Sequence, residues 1–217
     1  MTTRLPFPGG VTLIGGGEVQ PDDLDLAREI APGLIAADGG ADHALQLGAM
    51  PDAVIGDLDS LSKHGRARIG AERLIHVAEQ ESTDFEKCLQ RIDASFIIAI
   101  GFGGPRLDHS LAALNTLARR VGPPTFLLSG ADVVFLCPQV LRLDLPLGMR
   151  LSLFPMGPAR GTSSGLCWPI GGLTFAPDSR VGTSNEVSGP VDLRIDGPML
   201  VILPREALQT VLRQLFF

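Results

Sequence analysis

The sequence contains few cysteines, and none of them are paired at metal-ligand spacing. Cys88, Cys137 and Cys167 lie far apart along the 217 residues, and no CxxC motif occurs. Structural zinc sites and disulfide-rich secreted domains both depend on closely spaced cysteines. We therefore expect reduced thiols and a cytoplasmic protein.

Long apolar runs are also missing. Nowhere do about 18 uncharged apolar residues follow one another, which is the length that a membrane-spanning helix needs. The apolar run in the N-terminal stretch MTTRLPFPGGVTLIGGGE is too short for a signal peptide. We expect no membrane association.

An excess of positive charge is absent as well. The formal net charge is -6, and the 18 Lys and Arg residues are dispersed along the chain. Proteins that bind nucleic acids neutralise phosphates with clustered Lys and Arg. We expect no nucleic-acid partner, whereas a small anion held through a metal ion is compatible with this charge.

Two common nucleotide-binding motifs are not found. The chain lacks GxxxxGK[ST], and the segment GGGEVQ departs from GxGxxG because Gln20 stands where the last glycine belongs. A P-loop kinase and a standard dinucleotide-binding domain are both disfavoured. Glycines in IGGGE and ADGGA nevertheless allow a backbone to approach phosphates closely.

The first 125 or so residues alternate short apolar runs with helical patterns. Examples are VTLIGGG followed by DDLDLAREI, and AVIGDLDS followed by SKHGRARI. Such alternation predicts a mostly parallel sheet covered by helices on both faces. Hydrophobic residues make up 45% of the chain, which is ample for a core.

After the segment 123–130 the pattern changes. Runs such as DVVFLC, VLRLDL, RLSLFP and VDLRI are separated by Gly, Pro and Ser turns, and only the terminal REALQTVLRQL has a helical pattern. We predict an α/β protein with two domains. Residues 1–125 form the parallel, helix-covered domain, and residues 126–217 form a smaller antiparallel, β-sandwich-like domain with a short C-terminal helix.

Four aspartates occur where predicted strands end or the next helix begins. Asp38 follows LIAA, Asp57 and Asp59 follow AVIG, and Asp84 opens the helix after RLIHVAEQEST. The carboxyl ends of parallel strands share one edge of a sheet, so these four acids could line that edge. For any single one of them, a turn or a helix N-cap is an equally good interpretation.

Clustered carboxylates repel one another, and a divalent cation removes the conflict. If the backbone of VIGDLDSL is extended, Asp57 and Asp59 face the same side roughly 7 Å apart, so we expect positive charge between them. Oxygen ligands without accompanying His or Cys favour Mg²⁺, which usually also binds substrate phosphates. The acidic edge therefore predicts a magnesium–nucleotide site.

The stretch GFGGPRLDHSLAAL leaves a predicted strand through glycines and enters a helix. Arg106 can fork onto phosphate oxygens, Asp108 can cap the helix, and His109 can donate to a phosphate or a base. A capped helix with a solvated arginine is the alternative.

Several segments in a fixed order resemble the thiamine pyrophosphokinase family. They are ADGGA, IGDLDS, QESTDFEKCL, RLDHSLAAL, TSSGLCWPI and GTSNE, spread across roughly residues 11 to 203. The resemblance implies transfer of the terminal diphosphate of ATP to the hydroxyl group of thiamine. Pro105 departs from the pattern, because the family usually has glycine before the arginine.

The resemblance also implies residue roles. Asp38, Asp57, Asp59 and Asp84 would hold Mg²⁺, with Asp38 and Gln80 also at the diphosphate, and Arg106, Asp108 and His109 would bind ATP. Trp168, Ser184 and Asn185 would contact thiamine in a pocket that two subunits of a homodimer share. A flat aromatic such as Trp168 suits a heteroaromatic cation, although core packing is its ordinary role.

Some alternatives stay open. Asp57, Asp59, Asp84 and Asp108 are the catalytic candidates, and either Asp84 or Asp108 could accept the alcohol proton, since no dedicated strong base is evident. The Asp57-Leu58-Asp59 triplet also fits a DxD-type nucleotide-sugar transferase. A different acceptor alcohol, such as a pterin, and a noncatalytic thiamine- or nucleotide-binding protein are further alternatives.

Overall fold

The structure is a computed structural model that describes residues 4–217. The chain divides into two compact units, the first ending at Gly130 and the second running from Ala131 to Phe217. Within the described residues, none of the six helices is both long enough and apolar enough to cross a membrane.

The first unit alternates strands and helices. Its strands are β1 (Leu5–Pro6), β2 (Val11–Ile14), β3 (Gly33–Ala37), β4 (Ala53–Gly56), β5 (Leu74–His76), β6 (Ile92–Asp93), β7 (Ile97–Ile100) and β8 (Thr125–Ser129). Its helices are α1 (Pro21–Ile30), α2 (Gly40–Gln46), α3 (Lys63–Ile69), α4 (Asp84–Arg91) and α5 (Leu107–Ala118).

All strand pairs within the main sheet of the first unit are parallel. β7 lies between β2 and β8, while β4 lies between β3 and β5. β3 also lies alongside β2, and the short strands β1 and β6 form a separate parallel pair. Every residue of β2, β4 and β7 is buried, as expected for strands covered on both faces.

Side-chain caps mark the starts of two helices near the sheet edge. The Ser62 hydroxyl accepts a hydrogen bond from Gly65 N at the start of α3, and Thr83 accepts one from Glu86 N at the start of α4. Such caps satisfy backbone N–H groups that have no partner within the helix. They fix where α3 begins, directly after the segment with Asp57 and Asp59, and where α4 begins, at Asp84.

The second unit is antiparallel throughout its named strands. These are β9 (Asp132–Leu136), β10 (Val140–Leu143), β11 (Arg150–Pro155), β12 (Ala159–Leu166), β13 (Thr174–Phe175), β14 (Gly182–Asp196) and β15 (Met199–Pro204), followed by α6 (Leu208–Phe216). The order is β13-β12-β14-β11-β15-β9, and β10 also pairs with β14. The predicted fold class, a helix-covered parallel sheet followed by an antiparallel β-rich part, is confirmed.

Candidate active site

The connections between parallel strands run in opposite directions along the sheet from β2 and from β7. From β2 the chain passes to β3 on one side, whereas from β7 it passes to β8 on the other side. In open α/β sheets, ligands bind at the carboxyl ends of the strands where the connections diverge in this way. The segments after β2 and β7, residues 15–17 and 101–104, are both glycine-rich.

These two glycine segments pack backbone to backbone. Gly15 N donates to Ile100 O at 2.8 Å, and Gly17 N donates to Gly101 O at 2.8 Å. A Cβ atom on Gly15 would lie 2.5 Å from Gly101 O, so only glycine allows this approach. The ring of Phe102 lies 4.3 Å from that of Phe85, which connects the second segment to helix α4.

Asp38 follows β3 and is almost fully buried. It is 4% exposed and adopts a positive φ of 42°. One carboxylate oxygen, Oδ2, accepts a hydrogen bond from Ser60 N at 3.2 Å, while Oδ1 has no hydrogen-bond partner among residues 4–217. Burial raises the pKa of Asp38, and the nearby charges of Asp84 and Asp57 add to that effect. A buried carboxylate oxygen without a partner is costly unless something positive binds it.

Asp57 and Asp59 lie in a turn, so the expectation of an extended backbone at this point is wrong. Leu58 between them has a φ of 65°, and Asp59 N donates to Asp57 Oδ1 at 3.2 Å. The side chain of Gln80 donates to Asp57 Oδ2 at 2.8 Å. The hydrogen bonds from Gln80 and from Asp59 N, together with the charge of Lys87, hold the pKa of Asp57 below its ordinary value.

Polar contacts hold this turn in place. Arg66 of α3 donates to Leu58 O at 2.8 Å, which fixes the residue whose left-handed backbone is unfavourable by about 1–2 kcal/mol. Asp42 of α2 accepts hydrogen bonds from Ser62 N at 2.8 Å and from the Ser62 hydroxyl at 2.6 Å. The turn is therefore anchored to both α2 and α3.

The turn brings three acids together. One carboxylate oxygen from each of Asp38, Asp57 and Asp59 lies within 4.8 Å of the other two. The three residues range from buried to exposed, so the group is open to solvent on one side. An oxygen-only donor set that includes the buried, unpartnered Oδ1 of Asp38 fits a hard divalent cation such as Mg²⁺.

Asp84 lies next to this group, at the first position of α4. A Cβ atom on Gly56 would lie 2.9 Å from Asp38 Cβ and 3.2 Å from Asp84 Oδ1, which places both acids against the same glycine. Asp84 Oδ1 also accepts a hydrogen bond from Lys87 Nζ at 3.0 Å. In the structure Asp84 is thus paired with a cation of the protein itself.

Lys87 is a site residue that the sequence reasoning missed. Its side chain is 2% exposed, and Nζ lies 3.0 Å from Asp84 and 3.7 Å from Asp57. Burial lowers the pKa of Lys87, but the hydrogen bond to Asp84 and the charges of Asp84, Asp57 and Glu79 raise it on balance. The positive charge expected beside Asp57 is therefore present in the chain, although it bridges Asp57 to Asp84 rather than to Asp59.

Local hydrogen bonds shape the loop before α4, which carries Gln80. The carboxylate of Glu79 accepts hydrogen bonds from Glu81 N at 2.8 Å, from Ser82 N at 3.1 Å and from the Ser82 hydroxyl. Sequence reasoning also missed Glu79, which shapes this loop through local hydrogen bonds. It missed Asp42 and Arg66 as well, which hold the turn at Leu58.

Arg106 and Asp108 form an ion pair at the start of α5. Arg106 Nη2 lies 2.7 Å from Asp108 Oδ2, and Nε lies 3.3 Å from Oδ1. The expected cap by Asp108 does not form, because Arg106 is the N-cap residue and no side chain caps α5 there. Arg106 holds the pKa of Asp108 below its ordinary value, which weakens Asp108 as a base. His109 is exposed beside this pair.

The three residues predicted to contact thiamine all lie in the second unit. Trp168 is 60% exposed, which excludes core packing within this unit. Ser184 is exposed and has a φ of 61°. Asn185 is buried, and its side chain hydrogen-bonds to the backbone of Trp168.

Part of the chain is similar to a known protein family. Residues 26–125 match the family model described as thiamin pyrophosphokinase, catalytic domain. Thiamine pyrophosphokinase 1 of Oryza sativa subsp. japonica is 27% identical over 187 residues, which cover 70% of this chain and 71% of the relative. Thiamine pyrophosphokinase 1 of Arabidopsis thaliana is 27% identical over 201 residues, covering 77% and 75%.

Solved structures share the fold over nearly the whole chain. Thiamin pyrophosphokinase from Candida albicans superposes with a TM-score of 0.74 at 17% identity, covering 93% of each chain. Thiamine pyrophosphokinase from Bacillus subtilis gives a TM-score of 0.73 at 20% identity, covering 90% of this chain and 98% of its own. At these identities the likeness establishes the fold.

Proposed function

We infer that this chain, which belongs to the thiamine pyrophosphokinase family, transfers the terminal diphosphate of ATP to the hydroxyl group of thiamine. The products are thiamine diphosphate and AMP. The observation that carries the assignment of the site is the grouping of Asp38, Asp57 and Asp59 within the segment that matches the catalytic family model.

We propose that these three aspartates hold Mg²⁺, with Asp84 alongside. A divalent cation supplies charge neutralisation and orientation of phosphate oxygens. Two properties of Asp38 support the proposal: its Oδ1 has no partner among the described residues, and burial raises its pKa. A cation bound to this carboxylate would give Oδ1 a partner and would stabilise the charged form of Asp38.

The protein's own residues would then position the reacting groups. Lys87 fixes the carboxylates of Asp57 and Asp84, and Gln80 orients Asp57. The glycine-rich segments after β2 and β7 offer close backbone approach for phosphates. Arg106 and His109 are exposed at the same sheet edge, where they would bind ATP. Positioning and charge stabilisation account for most of the rate enhancement in such reactions.

Two base candidates differ in their surroundings. Asp84 is paired with Lys87, and Asp108 with Arg106, so each carboxylate is stabilised in its charged form by a cation. The hydrogen bond from Arg106 holds the pKa of Asp108 below its ordinary value, whereas the pKa of a typical general base is raised. We propose that either acid accepts the alcohol proton only late in the transfer.

We further propose a two-domain division of labour and a homodimer. Residues 1–125 would bind ATP and Mg²⁺, residues 126–217 would bind thiamine, and the exposed Trp168 and Ser184 would meet thiamine in a pocket that a second subunit completes. Trp168 supports this placement, because a large exposed aromatic on a fixed backbone is typical of a binding surface. The wide spacing of the cysteines supports a cytoplasmic location.

A direct assay tests the function. Purified protein, Mg-ATP and thiamine are mixed, and AMP and thiamine diphosphate are quantified, with an Asp57→Ala/Asp59→Ala double variant as control. We expect equimolar products from the wild type and a loss of at least a hundredfold in the double variant. Transfer from a nucleotide sugar without AMP formation would support the DxD-transferase alternative, and tight thiamine binding without turnover would indicate a noncatalytic protein.

A further inference from the structure

Strand β14 lies between β11 and β12 in the sheet. On its β11 edge, Leu151 pairs with Asn185 and Arg150 pairs with Glu186. On its β12 edge, the pair nearest to Trp168 joins Leu166 and Val187. The backbone of Asn185 is therefore engaged with β11, and β12 ends at Leu166, two residues before Trp168.

The side chain of Asn185 extends the β12–β14 ladder past this point. Cys167 N donates to Glu186 O at 2.9 Å, the last backbone bond of this ladder toward Trp168. At the next residue, Trp168 N donates to Asn185 Oδ1 at 3.1 Å, and Asn185 Nδ2 donates to Trp168 O at 2.7 Å. The carboxamide thus joins β14 to the backbone of Trp168 beyond the end of β12.

The carboxamide has little capacity left for a ligand. Its oxygen also accepts a hydrogen bond from Glu186 N at 2.9 Å, so both lone pairs of Oδ1 are used. Asn185 is 7% exposed, and a buried amide that lost these partners would cost about 1–3 kcal/mol. These contacts favour a structural action on Trp168 over direct contact with a substrate.

The backbone of the preceding residue, Ser184, is also held by a side chain. Ser184 has a φ of 61°, a left-handed conformation that only tertiary contacts maintain in a residue with a side chain. Its N–H donates to the hydroxyl of Ser152 at 2.9 Å, and Ser152 is 4% exposed. Asn185 is therefore anchored from both directions along β14.

We propose that Asn185 is a positioning residue that clamps the backbone of Trp168 and thereby holds its exposed ring in the orientation that receives thiamine. The part that concerns thiamine rests on the proposed function, whereas the clamp itself does not. Ordering an aromatic residue before its ligand arrives reduces the entropy lost on binding, so the clamp should strengthen thiamine binding without altering the chemistry at the aspartates.

Trp168 provides a specific readout. It is the only tryptophan, and the chain contains no tyrosine, so intrinsic fluorescence excited at the tryptophan band reports on this residue. Asn185→Leu removes all three hydrogen bonds, and Asn185→Asp keeps the acceptor but removes the donor to Trp168 O. Ser188→Asp adds a carboxylate to an exposed position of the same strand and controls for charge.

Two measurements are made on each protein. In time-resolved fluorescence anisotropy without ligand, we expect greater local motion of the indole ring in both Asn185 variants and no change in Ser188→Asp. In steady-state kinetics, we expect KM for thiamine to rise about tenfold in both Asn185 variants, while kcat and KM for ATP stay within about twofold. A merely structural role would lower kcat or stability without this selective effect on thiamine.

The outcomes separate the clamp from the proposed function. Unchanged indole motion in both Asn185 variants, or a rise in KM for ATP equal to that for thiamine, would overturn the proposal. If thiamine fails to quench the fluorescence of the wild-type protein, the assignment of Trp168 to thiamine fails, and the anisotropy still decides the clamp.

A measurement on the wild type covers the case in which the variants do not fold. Selective ¹⁵N-tryptophan labelling gives a single backbone amide signal, that of Trp168. We expect slow hydrogen exchange at this amide because it donates to Asn185 Oδ1. Exchange as fast as that of an open loop would overturn the proposal.

Discussion

The ammonium group of Lys87 lies 3.0 Å from Asp84 Oδ1, although the lysine side chain is only 2% exposed. A buried cation of this kind is tolerated only when anions surround it, and Asp57 at 3.7 Å supplies the second one. The acidic site is thus partly neutralised before any metal arrives.

Lys87→Met should destabilise the metal-free protein by about 1–3 kcal/mol. The loss is smaller than the roughly 3–5 kcal/mol for breaking a fully buried pair, because the side chain of Asp84 is 33% exposed and water can solvate it. Adding Mg²⁺ should restore part of the stability, since the cation compensates the same carboxylates. Urea unfolding with and without MgCl₂ measures both effects.

The chain's other lysine provides the control for this prediction. Lys63 is exposed on α3, and Lys63→Met should change the free energy of unfolding by less than about 0.5 kcal/mol. Equal stability of Lys87→Met and Lys63→Met would show that the buried ion pairs contribute nothing.

Asp38→Asn should stabilise the protein in the presence of EDTA, and the gain should grow with pH. Burial raises the pKa of Asp38 in the folded state, so folding favours its protonated form. Stability from this group is therefore highest below the unfolded pKa of about 3.9 and falls as pH rises through the folded pKa. Asparagine stays neutral and still accepts the hydrogen bond from Ser60 N.

Urea unfolding from about pH 4 to about pH 7 measures this difference. The free energy of unfolding of Asp38→Asn minus that of the wild type should be small at the acidic end and positive at the neutral end. A variant that is less stable than the wild type at neutral pH would contradict the electrostatic account of Asp38. Mg²⁺ should reverse the order, because only the wild type keeps this carboxylate.

Arg66→Met should weaken metal-dependent activity without unfolding the protein. The guanidinium holds Leu58 O, and losing one such hydrogen bond relaxes the left-handed turn by about 1 kcal/mol. We expect KM for Mg-ATP to rise about fivefold. Arg68→Met, an exposed change two residues further along α3, should leave KM as it is; a similar rise in both variants would point to a general charge effect.

Arg106→Gln should raise KM for ATP about tenfold and leave KM for thiamine unchanged, if its fork binds phosphate oxygens. In the structure the fork binds Asp108, so Asp108→Asn should free it and change KM for ATP less than Arg106→Gln does. Initial-rate kinetics with each substrate varied in turn distinguish these effects. An unchanged KM for ATP in Arg106→Gln would remove this residue from the nucleotide site.

The parallel part of the fold was predictable because its signal is local. β7 is an uninterrupted apolar run, and Thr12 is the one polar residue of β2. The helical patterns that follow β3 and β4 correspond to helices α2 and α3. Much of β12 and the first half of β14 was harder to predict. The segments ARGTSSGL and GTSNEVSG are rich in Gly, Ser and Thr, and they become strands through long-range pairing.

The candidate site also has features that the sequence predicts and features that it does not. Parallel strands end at a common edge, so the convergence of acids after β3 and β4 follows from topology. The turn at Leu58 does not, because a left-handed leucine depends on Arg66 and on burial. The burial of Lys87 likewise depends on Asp57 from another segment, in addition to Asp84 of its own helix.

The central claim is that Asp38, Asp57 and Asp59 share one divalent ion. Crystals grown with Mn²⁺ and a non-hydrolysable ATP analogue, measured at the manganese absorption edge, test it most directly. The account predicts one anomalous peak within about 2.0–2.4 Å of an oxygen from each of the three carboxylates. A fully occupied metal bound to the nucleotide but contacting none of the three aspartates would contradict it.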